Sequence, residues 1–190
     1  MAEKNQLDFR KAAVTAVLIV LSFIGTMFIR VPIPATNGYF NLGDMFIILA
    51  ALWLGPSRGL LVGLIGPAAA DLIGFPQFVV ATAVTKAAEG LVAGLIAQRL
   101  FGRQSALSSM VGALAGAIVM VAGYFIFEAY LYPVFARWIS FFGVTDLGAA
   151  IAEVPFNIAQ GVIGAIGGVA LWRAVTGGRP TPSTSASSET

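Results

Sequence analysis

The sequence contains no cysteine and no histidine among its 190 residues. The first absence removes thiol nucleophiles, disulfides and thiolate metal ligands. The second removes the commonest general base near neutral pH, and the two together exclude Cys/His zinc sites. Charge is scarce as well: Asp, Glu, Lys and Arg make up 11% of the chain, against about 25% in a soluble domain. The net charge of +2, carried by scattered basic residues, gives no surface for nucleic acid. No glycine-rich phosphate loop followed by Lys-Ser/Thr occurs, so the chain is not expected to hydrolyse ATP itself. What remains is carboxylate or lysine chemistry, or non-covalent binding.

Apolar residues, by contrast, are abundant. They form 58% of the chain, with a mean hydropathy of +0.88, and 22 glycines and 9 prolines accompany them. That composition fits a polytopic membrane protein, in which both residue types are better tolerated than in soluble helices. A hydrocarbon core about 30 Å thick takes about 20 helical residues. Candidate spans run over 12–29, 42–54, 58–73, 78–100, 107–130 and 148–175. The first lacks a cleavage pattern and reads as a retained helix. Between it and the second, Arg30 to Asn41 holds two prolines and a glycine and reads as a loop with internal order. Pro133 to Asp146 reads as an aromatic connector.

The second segment has only 13 residues, and charge decides whether it crosses. With six crossings and the N-terminus inside, 8 Lys/Arg lie inside and 2 outside; a re-entrant segment reduces the split to 4 against 6. The expectation is therefore an all-α integral membrane protein. It would comprise a cytoplasmic head (1–11), a six-helix membrane domain (12–175) with an outward-facing pocket, and a disordered cytoplasmic tail (176–190) rich in Ser, Thr, Pro and Gly. The pairs Gly59/Gly63, Gly90/Gly94, Gly112/Gly116 and Gly164/Gly168 are GxxxG motifs suited to close packing within the bundle. Ala12 and Ala16 show the same spacing at the cytoplasmic end of helix 1. They could pack internally or form a docking face.

Ionisable residues in hydrocarbon are costly and point to function. They are Asp44, Asp71, Lys86, Glu89, Glu128 and Glu153, and all but Glu89 fall at or above the expected midplane. Asn37, Tyr39, Asn41, Gln77, Tyr124, Trp138 and Asn157 lie at similar levels. The inner half is nearly all Ala, Leu, Ile, Val and Gly. A channel or proton relay needs polar groups through the full thickness; a sealed cup open to the outside suits small-molecule binding. The candidate binding residues are Tyr39, Asn41, Asp44, Lys86, Tyr124, Glu128, Trp138, Glu153 and Asn157. Structural alternatives stand beside them. Asp44 suits the first turn of its helix. Lys86 could pair with Asp71 or Glu153, or with Glu89 three residues on. Tyr124, Tyr130 and Trp138 could form an outer aromatic belt. An autonomous carrier or channel is the main functional alternative, but no inverted repeat supports it. An intramembrane enzyme built on Asp44 and Asp71 has no local motif behind it.

One set of motifs resembles a known family. Gly38-Tyr-Phe-Asn-Leu-Gly-Asp44, Gly55-Pro56-x-x-Gly59, Gly66 with Asp71, and Lys86-x-x-Glu89-Gly90-Leu91-x-x-Gly94 are similar to the S components of energy-coupling factor (ECF) vitamin transporters, riboflavin-type subgroup. The resemblance covers about residues 10 to 175. It implies six helices, a pocket near the outer face under the loop after helix 1, and capture of a water-soluble vitamin. Riboflavin comes first, with pyridoxine-like, pyrimidine or queuosine-precursor ligands as alternatives. It also implies a prokaryotic plasma membrane, a transmembrane coupling subunit docked at Ala12 and Ala16, two cytoplasmic ATPases, no catalysis and no cofactor.

Overall fold

Glycine and proline divide the apolar sequence, and the helices end where they occur. The computed structural model describes residues 2–33, 38–99, 105–139 and 145–177. Helix α1 spans Ala2–Met27 and leads into a two-stranded antiparallel hairpin, β1 (Arg30–Ile33) and β2 (Gly38–Asn41). Then follow α2 (Asp44–Leu54), α3 (Pro56–Gly74), a 3₁₀ turn (Pro76–Phe78) and α4 (Val79–Arg99). Helix α5 (Ala106–Ile126) runs on through a π-helical turn (Phe127–Leu131) into the short α6 (Tyr132–Phe135), and α7 covers Leu147–Thr176.

The all-α expectation holds apart from the hairpin, which replaces the loop read over Arg30 to Asn41. Its register pairs Arg30 with Asn41 and Ile33 with Gly38. Two further differences concern helix ends. Helix α1 begins at Ala2, so the head read as separate continues the helix. The fifth helical run extends to Phe135, into what read as a connector. The tail beyond Gly177 lies outside the described residues.

Among the described residues, four helical runs are long and apolar enough to cross a membrane: Pro56–Gly74, Pro76–Arg99, Ala106–Phe135 and Leu147–Thr176. Helix α2, with 11 residues, reaches about 16 Å, roughly half a hydrocarbon core. It is hydrophobic on every side because it is the centre of the bundle. Ile47 to Leu52 are almost wholly buried, packed with Leu18, Val62, Val169 and Trp172 from α1, α3 and α7. Gly55 joins α2 to α3 with φ at 97°, a conformation open to glycine and strained for other residues. The chain thereby reverses in one residue.

All four GxxxG pairs face inward. A Cβ on Gly63 would sit 2.0 Å from the Lys86 carbonyl oxygen, and one on Gly90 would sit 2.3 Å from that of Gly59. Helices α3 and α4 thus touch backbone to backbone. Gly112 and Gly116 bring α5 against Ala93, Ala97 and Glu89 of α4, and Gly164 and Gly168 bring α7 against Asp44 and Ile48 of α2. This close packing holds helices together where no hydrophobic force drives them. At the end away from the hairpin the interior is filled by Leu52, Ala93, Ala97, Ala113 and Trp172. At the hairpin end it is polar.

Candidate binding pocket beneath the hairpin

The pocket enclosed by the hairpin, α5, the π turn and α7 is a small cavity of about 30 Å³. From the hairpin come Gly38, Tyr39 and Asn41; from the 3₁₀ turn, Phe78; from α5 and the π turn, Tyr124 and Glu128. Helix α7 contributes Glu153, Asn157 and Gln160, which are four and three residues apart and so share one helix face. Each of those three is at most 8% exposed. A larger recess of about 630 Å³ lies between α5 and α7, but its walls, including Leu114, Ile118, Phe125 and Val162, are apolar. It offers nothing to orient a water-soluble molecule.

Glu128 reaches the pocket because of Pro133. A proline has no N–H to give to the helix. Here Tyr132 N donates to Phe127 O, five residues back, in the π turn. The Glu128 carbonyl is then left without a helical donor, since its partner five residues on is Pro133. The Thr145 hydroxyl, just before α7, donates to it at 3.2 Å. Such π turns are frequent at functional sites. This one ties the start of α7 to the residue that aims a carboxyl at the pocket.

Below the pocket lies a closed polar network. Lys86 Nζ donates to Asp44 Oδ1 at 2.5 Å and lies 3.5 Å from Glu89 Oε2; all three side chains are 0–1% exposed. Gln160 Nε2 donates to Asp44 Oδ2 at 2.9 Å, and Gln160 Oε1 accepts from the backbone N–H and the side-chain amide of Asn41. Asn41 Oδ1 in turn accepts from Gly43 N–H and the Thr26 hydroxyl. The floor of the pocket and the base of the hairpin are therefore one structure.

A second network fastens the hairpin to α3 and α4. Tyr39 donates its hydroxyl to Asp71 Oδ1, and Thr82 donates to Asp71 Oδ2 at 2.6 Å. Thr82 has one proton to give, so the Tyr124 hydroxyl, 3.0 Å away, is the donor to Thr82. Arg30 lies 3.7 Å from Asp71 Oδ1 and stacks over the rings of Tyr39 and Phe75 at 4.6 and 4.9 Å. Burial, and then the neighbouring Asp71 carboxyl, push the Tyr39 pKa well above the ordinary tyrosine range, so its hydroxyl stays a donor.

Of the residues expected at the site, Tyr39, Asn41, Tyr124, Glu128, Glu153 and Asn157 line one pocket. Asp44 and Lys86 do not; they form its floor. Of the pairings expected for Lys86, the one with Glu89 is present, while Asp44 takes the place expected for Asp71 or Glu153. Trp138 stands apart at 85% exposure, beside a shallow apolar recess with Val80, Phe135 and Ile139. Ala12 and Ala16 are exposed on α1, facing away from the bundle. Gly38, Phe78 and Gln160 were missed. The spacing of Gln160 from Glu153 and Asn157 could have found it. Among the described residues no cluster of Asp and Glu could hold a metal ion.

Comparison with known proteins agrees with this fold. Residues 6–176 match the family model of the ECF-type riboflavin transporter S component. An uncharacterized protein encoded in the gap 3′ region of Pyrococcus woesei is 36% identical over 143 residues, which is 75% of this chain and 86% of that protein. The solved structure of the S component of a bacterial ECF transporter superposes with a TM-score of 0.70 at 22% identity, covering 90% of this chain and 97% of that one. At that identity the likeness establishes the fold.

Proposed function

The chain belongs to the family of ECF-type riboflavin transporter S components, and from that premise we propose that it captures a small water-soluble vitamin or vitamin precursor beneath the hairpin for ATP-driven uptake. Members of this family are substrate-binding subunits of membrane transporters, not enzymes. Riboflavin is the first candidate ligand, with pyridoxine-like, pyrimidine and queuosine-precursor compounds as alternatives. The observation that carries the reading is the pocket itself: a concave site with aromatic walls, Tyr124 and Phe78, and convergent polar groups, Glu128, Glu153 and Asn157. It is sealed from the opposite end by the ion-paired floor and the apolar core. Such a cup binds but does not conduct.

In this proposal the chain crosses a prokaryotic plasma membrane six times, with both ends cytoplasmic and the hairpin outside. A transmembrane coupling subunit docks on α1 at Ala12 and Ala16, and two cytoplasmic ATPases drive the cycle. The exposure of both alanines supports a face left free for a partner helix. Native mass spectrometry of the purified protein identifies a retained ligand, and a yellow preparation indicates a flavin. Uptake into proteoliposomes tests the rest. It should require the coupling subunit, the ATPases and ATP. Uptake by this chain alone would establish an autonomous carrier, and covalent change of a bound compound an enzyme.

A further inference from the structure

Helix α7 carries two different stripes. Glu153, Asn157 and Gln160 face the pocket and are buried. Val154, Ile158 and Val162 recur every four residues and so share another face, where they line the recess between α5 and α7. On α5 the same division puts Tyr124 in the pocket and Phe125 in the recess. Pocket and recess are thus two sides of one helix pair. The recess is a concavity of about 630 Å³ with apolar walls, and no charged side chain lines it among the described residues. Packed proteins leave few voids larger than a water molecule, so a space of this size has an occupant.

Its length, surroundings and position say what that occupant is. Leu114 and Phe125, at the two ends of the α5 wall, are about 16 Å apart along the helix. That matches one leaflet of a hydrocarbon core about 30 Å thick. At the Phe125 end stands the exposed Tyr130, its ring edge-on to Phe125 with centroids 6.1 Å apart. Tyrosine is favoured at the membrane–water interface, where its ring is in hydrocarbon and its hydroxyl in the headgroups. The recess therefore runs from the membrane surface on the hairpin side toward the bilayer centre. The helical run Ala106–Phe135 that supplies this wall has the highest mean hydropathy of the four spans, 2.2, yet only 28% of its most apolar stretch is buried within the chain. It is built to face hydrocarbon. Helix α1, where a coupling subunit is proposed to dock, packs on α2 and α3, not on α5, so a partner there leaves the recess open. A helix is also too thick for the space: at about 10 Å across and 16 Å long it fills about 1,250 Å³, twice the recess.

We propose that the recess is a lipid site: one acyl chain from the hairpin-side leaflet lies along it, with the headgroup at the level of Tyr130. Seated there, the chain braces α5 against α7 directly behind the pocket. The site is independent of which compound the pocket takes.

Photolabelling of the full chain tests this. The protein is placed in nanodiscs of phosphatidylcholine with a trace of phosphatidylcholine bearing a diazirine near the middle of one acyl chain, and the adducts are mapped by mass spectrometry. Ile118 and Ile158 in the recess are 68% and 50% exposed, and Val17 and Val20 on α1 are 57% and 54% exposed. Equal exposure to bulk lipid gives equal labelling. A seated chain should enrich the recess adducts at least about threefold, the ratio given by a preference of about 0.65 kcal/mol. Ala122, exposed on the recess wall, allows the space to be filled. Ala122→Trp should lower the recess adducts by about threefold or more, by the same arithmetic, and leave those on α1 unchanged; if that variant fails to fold, Ala122→Leu is read in the same way. Even labelling of the recess and α1, or enrichment that survives both fillings, overturns the inference. So does a recess that is labelled in the isolated chain and protected in the complete complex, which would make the occupant a protein subunit. None of these readouts involves a vitamin, so their failure leaves the capture function standing.

Discussion

Replacing Lys86 with methionine separates the floor of the pocket from its walls. Methionine keeps most of the side-chain length and removes the ammonium. In the native protein that ammonium is 2.5 Å from Asp44 Oδ1 and 3.5 Å from Glu89 Oε2, with all three groups out of solvent. After the substitution Asp44 retains the Gln160 amide as its donor, but two carboxyls are left buried without a counter-charge. Breaking a buried pair from one side costs about 3–5 kcal/mol. For a protein of this size, about 2–4 °C per kcal/mol turns that into a fall in melting temperature of about 6–20 °C. Thermal unfolding in detergent ranks the variants. Neutralising all three groups, with Lys86→Met, Asp44→Asn and Glu89→Gln together, should recover at least about half of the loss, because no uncompensated charge then remains. Ligand affinity of the folded fraction should change by less than about tenfold in the single variant, or 1.4 kcal/mol, since Lys86 does not line the pocket. A variant with an unchanged melting temperature and much weaker binding would refute the assignment and make Lys86 a ligand contact.

Gly63→Ala would place a Cβ 2.0 Å from the Lys86 carbonyl oxygen; overpacking of this kind costs about 1–3 kcal/mol or more, read as a lower melting temperature. Gly38→Ala would instead place one 2.0 Å from Glu153 Oε1, which should weaken ligand binding about tenfold or more, as expected for a lost buried hydrogen bond, while the melting temperature changes little. Ala16→Trp should leave stability and binding intact, because Ala16 is exposed on α1, and should abolish uptake by the complete complex. Normal uptake in that variant would remove the docking role. Single cysteines at Val144 and Gln104 should be labelled by an impermeant reagent from outside and inside respectively, and the reverse pattern would invert the proposed topology.

The helices were legible because glycine and proline mark their ends. Gly55-Pro56 and Gly74-Phe75-Pro76 are boundaries in the sequence and in the structure alike. The buried helix α2 was legible as an apolar run without amphipathic pattern. The hairpin was not, because Pro32 and the short strands give no alternation long enough to read as β-structure. The extension to Phe135 was hidden by Pro133, which reads as a helix end unless a π turn absorbs its missing N–H. Within the site, polar residues in apolar helices pointed to Tyr124, Glu128, Glu153 and Asn157, which line one pocket with Tyr39 and Asn41 of the hairpin. Partner choice was harder. Lys86 to Asp44 joins residues 42 positions apart on different helices, and spacing along one helix shows only the Glu89 contact.

The two networks also bear on why, in the proposed capture function, recognition would sit at one end of the bundle. Backbone contacts at Gly59, Gly63, Gly90 and Gly94 lock α3 to α4. The hairpin is fastened differently. Among the described residues it is held chiefly through side chains: Tyr39 and Arg30 at Asp71, and Asn41 at Gln160. These bonds can be exchanged for water one at a time, whereas a glycine–backbone interface separates only as a whole. A ligand entering beneath the hairpin therefore needs to displace only that cover, not the helices. Asn41 links that cover through Gln160 to the Asp44–Lys86 floor. In the proposed capture function the buried ion pair would hold the surface on which the hairpin rests, and its charges would contribute to binding through position rather than through contact.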